Sequence, residues 1–233
     1  MNGLQLKKYN NMSVVGGPRL GIVREGLVLN LDAGNTLSYP GTGTDWFDLT
    51  GNGNNGTLTN GVTYLTDNGG IMSFDGINDF VSIPNSDSLN TISVSVSMWI
   101  KFNLLSNDKV LFSKGAGGSR TYWFYENGGI QFFYGAATPK ILKTDLEDDN
   151  WHNIVGTYNG TSTISLYHNG VLFGTSNSNS QAQTTQNLSI NSYPGGSYVA
   201  SDKKIGNTLI YNRALTDSEV LQNYNATKGR FGL

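Results

Sequence analysis

The chain has 233 residues, no Cys, 14% charged residues and a formal net charge of -2. That length suits a single β-sandwich, which commonly runs to about 200 to 250 residues, and a core of that size needs no disulfide or metal staple. The composition excludes Cys-ligated zinc and thiol nucleophiles, and it offers no broad cationic field to attract nucleic acid or an anionic membrane.

Residues 1–24 mix polar positions with Gly16, Gly17, Pro18 and Gly21 and read as an extended N-terminal arm. The stretch after Lys7 and Lys8 lacks a continuous apolar run of signal-peptide length, and no later segment could span a bilayer. The expectation is a chain made in a cytoplasm, with no membrane insertion. From Glu25 the pattern changes. "GLVLNLDAG" sets Leu27, Leu29 and Leu31 against Val28, Asn30 and Asp32, the period of a half-buried strand. "DWFDLTGNGNNGTLTNG" then places Gly or Asn at nearly every other position, and its "GNGNNG" has no following Lys-Ser/Thr and opens no helix. It is a turn-rich loop, not a phosphate cradle.

"TISVSVSMWIKF" is the clearest strand, with Ile92, Val94, Val96, Met98 and Ile100 facing a core and Ser93, Ser95, Ser97, Trp99 and Lys101 facing away. "KVLFSKG", "TYWFYENGGIQFFYG", "WHNIVGTYNG" and "STISLYHNGVLFGT" follow as strands, the last folded at Asn169-Gly170, a pair suited to a type I′ hairpin. In "ALTDSEVLQNYNATKG" the spacing of Thr216 and Glu219 predicts a capping box for a helix over 217–228. Leu215 and Val220 form its staple and Gly229 its stop. Many short strands and one terminal helix make the fold all-β, a sandwich or barrel.

Seven stretches carry a resemblance in their order: "GLVLNLDAGN", "WFDLTGNGNNGTLTNG", "SFDGINDFVSIP", "SVSMWIKF", "DNWHNIVGTYNG", "ISLYHNGVLFGT" and "IGNTLIYNRALTDSEV". Together they resemble the laminin-G-like, concanavalin A-like lectin/glucanase superfamily, which implies a jelly-roll β-sandwich over 25–233. The opening "GLVLNLDAGNTLSYPG" and closing "IYNRALTDSEVLQNYNATKGRFGL" look most like the version found in structural proteins of tailed bacteriophages. That likeness implies a non-enzymatic virion or capsid-decoration protein that binds surface glycans, with a stand-alone carbohydrate-binding lectin module and a glycoside hydrolase as alternatives. Asn207-Thr208 stands where relatives often carry an acidic pair, which argues against a metal at that strand.

Four groups of residues bear on chemistry. Asp145, Glu147 and Asp149 alternate as a glycosidase carboxylate pair on a strand would, but Asp148 interrupts them and the resemblance places them in a loop, so a solvated acidic turn is expected. His152 and His168 lack any motif that would make them bases or ligands. Asp75, Asn78 and Asp79 offer hard oxygens in one tight loop, a candidate Ca²⁺ site beside the alternative of a plain Asx turn. Trp123, Tyr125 and Phe133 fall on the outward side of their hairpin if Phe124, Ile130 and Phe132 fill the core. They are candidates to stack on a sugar or a subunit, or else to lie beneath a covered face. The isolated Leu4, Leu6, Val14, Val15 and Leu20 mark the arm as a docking element for other virion proteins or copies of the chain.

Overall fold

The computed structural model describes residues 20–103, 109–116, 121–135, 142–178, 183–197 and 202–233. In chain order the strands are β1 (Leu27–Asp32), β2 (Asp45–Trp46), β3 (Gly56–Thr59), β4 (Thr63–Leu65), β5 (Ile71–Phe74), β6 (Phe80–Ile83), β7 (Val94–Phe102) and β8 (Lys109–Lys114). They continue with β9 (Tyr122–Glu126), β10 (Ile130–Tyr134), β11 (Leu142–Lys143), β12 (Trp151–Tyr158), β13 (Thr163–His168), β14 (Val171–Asn177), β15 (Leu188–Ile190) and β16 (Lys203–Tyr211). One antiparallel sheet runs β14-β13-β12-β7-β16-β5-β4, with β1 also on β16; the other runs β11-β10-β9-β8-β15-β6-β3-β2. No helix among the described residues is long and apolar enough to cross a membrane.

The two sheets face each other across one apolar core. Val94, Val96, Met98, Ile100 and Phe102 of β7 meet a layer that includes Val81, Ile83, Phe124, Phe132, Leu188 and Ile190 from the other sheet. Each such side chain contributes about 1.5 to 3 kcal/mol through the water it sheds. At the centre the sheets come unusually near. A Cβ on Gly156 of β12 would lie 2.3 Å from the Phe132 ring, so only glycine fits beneath it. Asn169 and Gly170 have φ of 51° and 81°, the paired positive values that the β13–β14 hairpin requires.

The serine face of β7 is not open to water, which corrects the expectation of a polar outer side. Ser95 and Ser97 are buried. The chain after β16 crosses over them: Ser95 Oγ donates to the Arg213 carbonyl and accepts from Leu215 N, each at 2.8 Å, and Ser93 Oγ accepts from Ala214 N at 2.9 Å. Hydroxyls here substitute for solvent in satisfying backbone groups that a covering segment would otherwise strand. Ile92 also departs from the pattern, standing exposed two residues before the strand starts.

Helix α1 (Asp217–Thr227) covers the same face. Its capping box is formed as expected, with Thr216 accepting from Glu219 N and Glu219 accepting from Thr216 N. Leu215 and Val220 join Val155, Tyr167, Leu209 and Tyr211 in a second apolar cluster. The stop differs from expectation: Gly229 lies inside a 3-10 turn over Lys228–Phe231, and Gly232 at φ 81° takes the left-handed position. Phe231 then packs on Trp99 and Trp151, with ring centroids 4.3 and 4.8 Å away.

The arm boundary moves as well. Val23 is buried, donates from N to Asn223 Oδ1 at 2.8 Å and accepts from Tyr211 Oη at 2.9 Å, so the segment just before β1 belongs to the sandwich. Leu20 is exposed, while Leu4, Leu6, Val14 and Val15 lie outside the described residues.

The Gly/Asn-rich loop has a structural role at β1. It supplies the hydrogen bonds that a further strand would make: Asp48 Oδ1 accepts from Asn30 N, Leu49 N donates to Asn30 O, and the Asn52 and Asn54 amides donate to Val28 O. A chain rich in Asn and able to turn sharply can bring side-chain amides back onto a strand edge; one without those residues could not.

Candidate functional site on the second sheet

The face of the second sheet that points away from the core is built by alternation. Phe124, Phe132 and Ile130 enter the core as expected, so their neighbours Trp123, Tyr125 and Phe133 project outward. The strand registers join one row across the sheet: Thr57, Ser82, Ser189, Ser113, Trp123 and Phe133. Small hydroxyl residues thus lead to an aromatic end.

Trp123 and Phe133 stack almost in parallel, with centroids 4.8 Å apart and 1° between planes. Tyr125 meets Phe133 edge-on at 6.2 Å. Their exposures differ. Trp123 is 4% and Phe133 6% exposed, so both are covered, whereas Tyr125 is half-buried. The row behind them is also partly closed, since Ser189 Oγ donates to Val81 O and meets the buried Ser192 Oγ at 2.8 Å. Tyr125 is therefore the ring of the three that can meet a ligand directly, braced on one side by its edge contact with Phe133.

The Asp75–Asp79 loop is drawn tight by its own carboxylates. Asp75 Oδ1 accepts from Ile77 N at 2.8 Å, and Asp79 Oδ2 accepts from Asp75 N at 3.1 Å. Asp79 is buried and its Oδ1 has no hydrogen-bond partner. Burial raises the Asp79 pKa, and the neighbouring Asp75 charge adds to the rise against the Asp75 N–H bond. Asn78 contributes its carbonyl to the Asn60 amide. Among the described residues, no three His, Cys, Asp or Glu side chains are grouped to hold a metal ion. One orphaned carboxylate oxygen is short of the six to eight that Ca²⁺ takes, so the loop as arranged would need further oxygens from backbone or water.

Asp145, Glu147 and Asp149 do not share a strand face. They lie in the exposed segment between β11 and β12, with Asp145 and Asp149 both at φ 59° and Leu146 anchored in the core. Asp149 pairs with Lys101 Nζ at 2.6 Å.

The two histidines, read singly in the sequence, are joined in space. His152 Nδ1 lies 2.9 Å from His168 Nε2, and His152 Nε2 lies 2.9 Å from Asp148 Oδ1. Partial burial works to raise the Asp148 pKa, but hydrogen bonds from Asn150 and His152 outweigh it and hold the carboxyl down at about 2. The hint was available in the i, i+4 spacing of Asp148 and His152; the link to His168 needed the β12–β13 register. The Asp148–His152–His168 series fixes the orientation of the His152 imidazole between a carboxylate and a second ring.

Comparison with curated protein sequences finds no match. Among solved structures, the binding domain of Paraclostridial Mosquitocidal Protein 1 aligns with TM-score 0.70 at 17% identity, over 87% of this chain and 52% of that one. The ligand binding domain of botulinum neurotoxin serotype D, solved in complex with N-acetylneuraminic acid, aligns with TM-score 0.68 at 15% identity, over 87% and 51%. A Trypanosoma rangeli sialidase aligns with TM-score 0.65 at 18% identity, over 88% and 33%. The chain thus spans about half the length of the toxin domains and a third of the sialidase, and identities this low speak for the fold alone. Residues 75–221 match the family described as the concanavalin A-like lectin/glucanases superfamily. With most of its length inside that match and both sheets in the matching architecture, the chain belongs to the concanavalin A-like lectin/glucanase superfamily.

Proposed function

We propose that this chain is a non-enzymatic glycan-binding module of a tailed-bacteriophage virion, attached to other virion proteins or to copies of itself through its N-terminal arm. The observation that carries the glycan reading is the half-buried Tyr125, set near-perpendicular against Phe133 beside the stacked Trp123–Phe133 pair on the outward face of the second sheet. A flat ring braced by a neighbouring ring stacks on the apolar face of a sugar with little loss of side-chain entropy. A lectin-type fold supports the same reading, as does the neighbouring toxin domain that holds N-acetylneuraminic acid. The virion setting rests on the resemblance of the first and last stretches of the sandwich. The two stretches meet where Leu27 and Leu29 of β1 pair with Tyr211 and Ile210 at the end of β16.

Absence of hydrolysis is part of the proposal, supported by the dispersal of Asp145, Glu147 and Asp149 along an exposed loop. Ca²⁺ at Asp75, Asn78 and Asp79 is carried as a further part, supported by the orphaned Asp79 Oδ1. Calorimetric titration of the chain with sialylated and neutral oligosaccharides tests the glycan reading, with Tyr125→Ala as the paired variant. Saturable binding weakened at least tenfold by that variant is the expected result; equal affinity in both proteins would remove Tyr125 from the site. Release of monosaccharide from the same ligands, abolished by Glu147→Gln, would overturn the non-enzymatic reading.

A further inference from the structure

A pocket of about 180 Å³ beside β1 is lined by Arg24, Leu27, Asn30, Leu49 and Thr50. Leu29 and Leu31 enter the main core, so Asn30 between them faces outward, and Leu27 lies against the apolar cluster under α1. Hydrogen bonds hold the walls in place. Leu27 N donates to Arg24 O at 3.1 Å, and Leu49 N donates to Asn30 O at 3.0 Å. Asp48 Oδ1 accepts from Asn30 N at 2.9 Å and from Thr50 N at 3.1 Å. The cavity is thus formed before anything enters it, which spares a ligand the cost of ordering it.

Its polar groups divide into committed and open ones. The Thr50 hydroxyl donates to Asp48 Oδ2 at 2.6 Å and accepts from the Asn52 amide at 2.9 Å. The Asp48 carboxylate, which does not line the pocket, takes a further N–H from Asn54. Among the described residues, no hydrogen bond or ion pair engages the Arg24 guanidinium or the Asn30 side-chain amide. Arg24 is exposed and is the one charged side chain of the lining, whereas Arg213 and Arg230 are each tied to a carboxylate. A guanidinium with its fork unfilled selects a carboxylate, which it binds through two parallel hydrogen bonds. The Asn30 amide offers a donor and an acceptor at once, the match for a sugar hydroxyl. Leu27 and Leu49 supply apolar surface for the C–H groups of a ring. Drug-sized ligands occupy about 300 to 1,000 Å³, so this cavity takes a single ring rather than a longer chain.

We propose that this pocket binds a carboxylate-bearing sugar, with Arg24 on the carboxylate and Asn30 on a neighbouring hydroxyl. The site belongs to the other sheet from Tyr125 and stands whether or not that ring binds glycan. Magnetic-resonance titration of the isotope-labelled full-length chain with glucuronate and with glucose, at fixed salt and neutral pH, tests it. Glucuronate should shift the Arg24 Nε–H and Asn30 side-chain amide signals saturably, with a Kd on the order of 1 mM. Glucose, which lacks the carboxylate, should bind at least about tenfold more weakly. Arg24→Gln should bring glucuronate down to the level of glucose, while the amide signals of β7 and β12 stay in place as the report of an intact fold. Asn30→Ala should weaken glucuronate by about threefold or more. Equal glucuronate affinity in the wild type and Arg24→Gln would overturn the proposal, as would acetate or inorganic phosphate binding as tightly as glucuronate. Shifts confined to Trp123, Tyr125 and Phe133 would also overturn it, while leaving the glycan reading of that face intact.

Discussion

Lys114 gives a prediction whose sign and size both follow from its surroundings. The side chain is fully buried at the end of β8, and its three N–H bonds go to Asn85 Oδ1 at 2.6 Å, Thr184 O at 3.1 Å and Gln186 O at 2.5 Å. These acceptors are neutral, so burial dominates and brings the pKa from 10.5 down to about 8. The unfolded chain therefore binds more protons than the folded one between pH 8 and 10.5, and stability must rise with pH across that window. A shift of this size corresponds to about 3 kcal/mol of penalty below pH 8, of which about 1 kcal/mol is relieved between pH 7.5 and 9. Urea unfolding at fixed salt, followed by tryptophan fluorescence at half-unit pH steps, measures it. Lys114→Met cannot titrate, so the difference between the two proteins isolates this lysine from the tyrosines that ionise higher. A difference that stays flat from pH 7.5 to 9 would refute the reasoning and mean that the ammonium is solvated in the folded state.

Gly156→Ala should cost about 1 to 3 kcal/mol in chemical denaturation, because the new methyl would sit 2.3 Å from Phe132 and force the sheets apart; an unchanged midpoint would show that the ring can swing aside. Trp123→Ala should cost about 3 to 5 kcal/mol, as for a core aromatic, since the ring is covered and stacked on Phe133. Tyr125→Ala should leave the melting temperature nearly unchanged, and a melting loss as large as that of Trp123→Ala would make Tyr125 a packing residue. If Ca²⁺ binds at Asp79, adding it at a hundredfold excess over Kd should stabilise the fold by about 2.7 kcal/mol relative to chelator. Asp79→Asn should remove that shift, and identical melting with Ca²⁺ and chelator would leave only the Asx turn.

Local features were legible in the sequence because their causes are local. The alternation in "SVSMWIKF" follows from strand geometry, the Thr216–Glu219 box from helix-end hydrogen bonding, and the Asn169-Gly170 turn from the need for two positive φ values. The outward direction of Trp123, Tyr125 and Phe133 was readable for the same reason. Whether an outward side chain meets water was not, because that depends on which distant segment lies over it. Residues 213–215 cover Ser93 and Ser95, Phe231 covers Trp99, and residues 21–23 join the sandwich because α1 offers Asn223 and Gln222 and β16 offers Tyr211. The near contact of Gly156 with Phe132, the three-acceptor cage around Lys114 and the link from His152 to His168 likewise join elements far apart in the chain or across a strand register. Periodicity states which way a side chain points; only the packed sheets and the segments laid over them determine what it meets there.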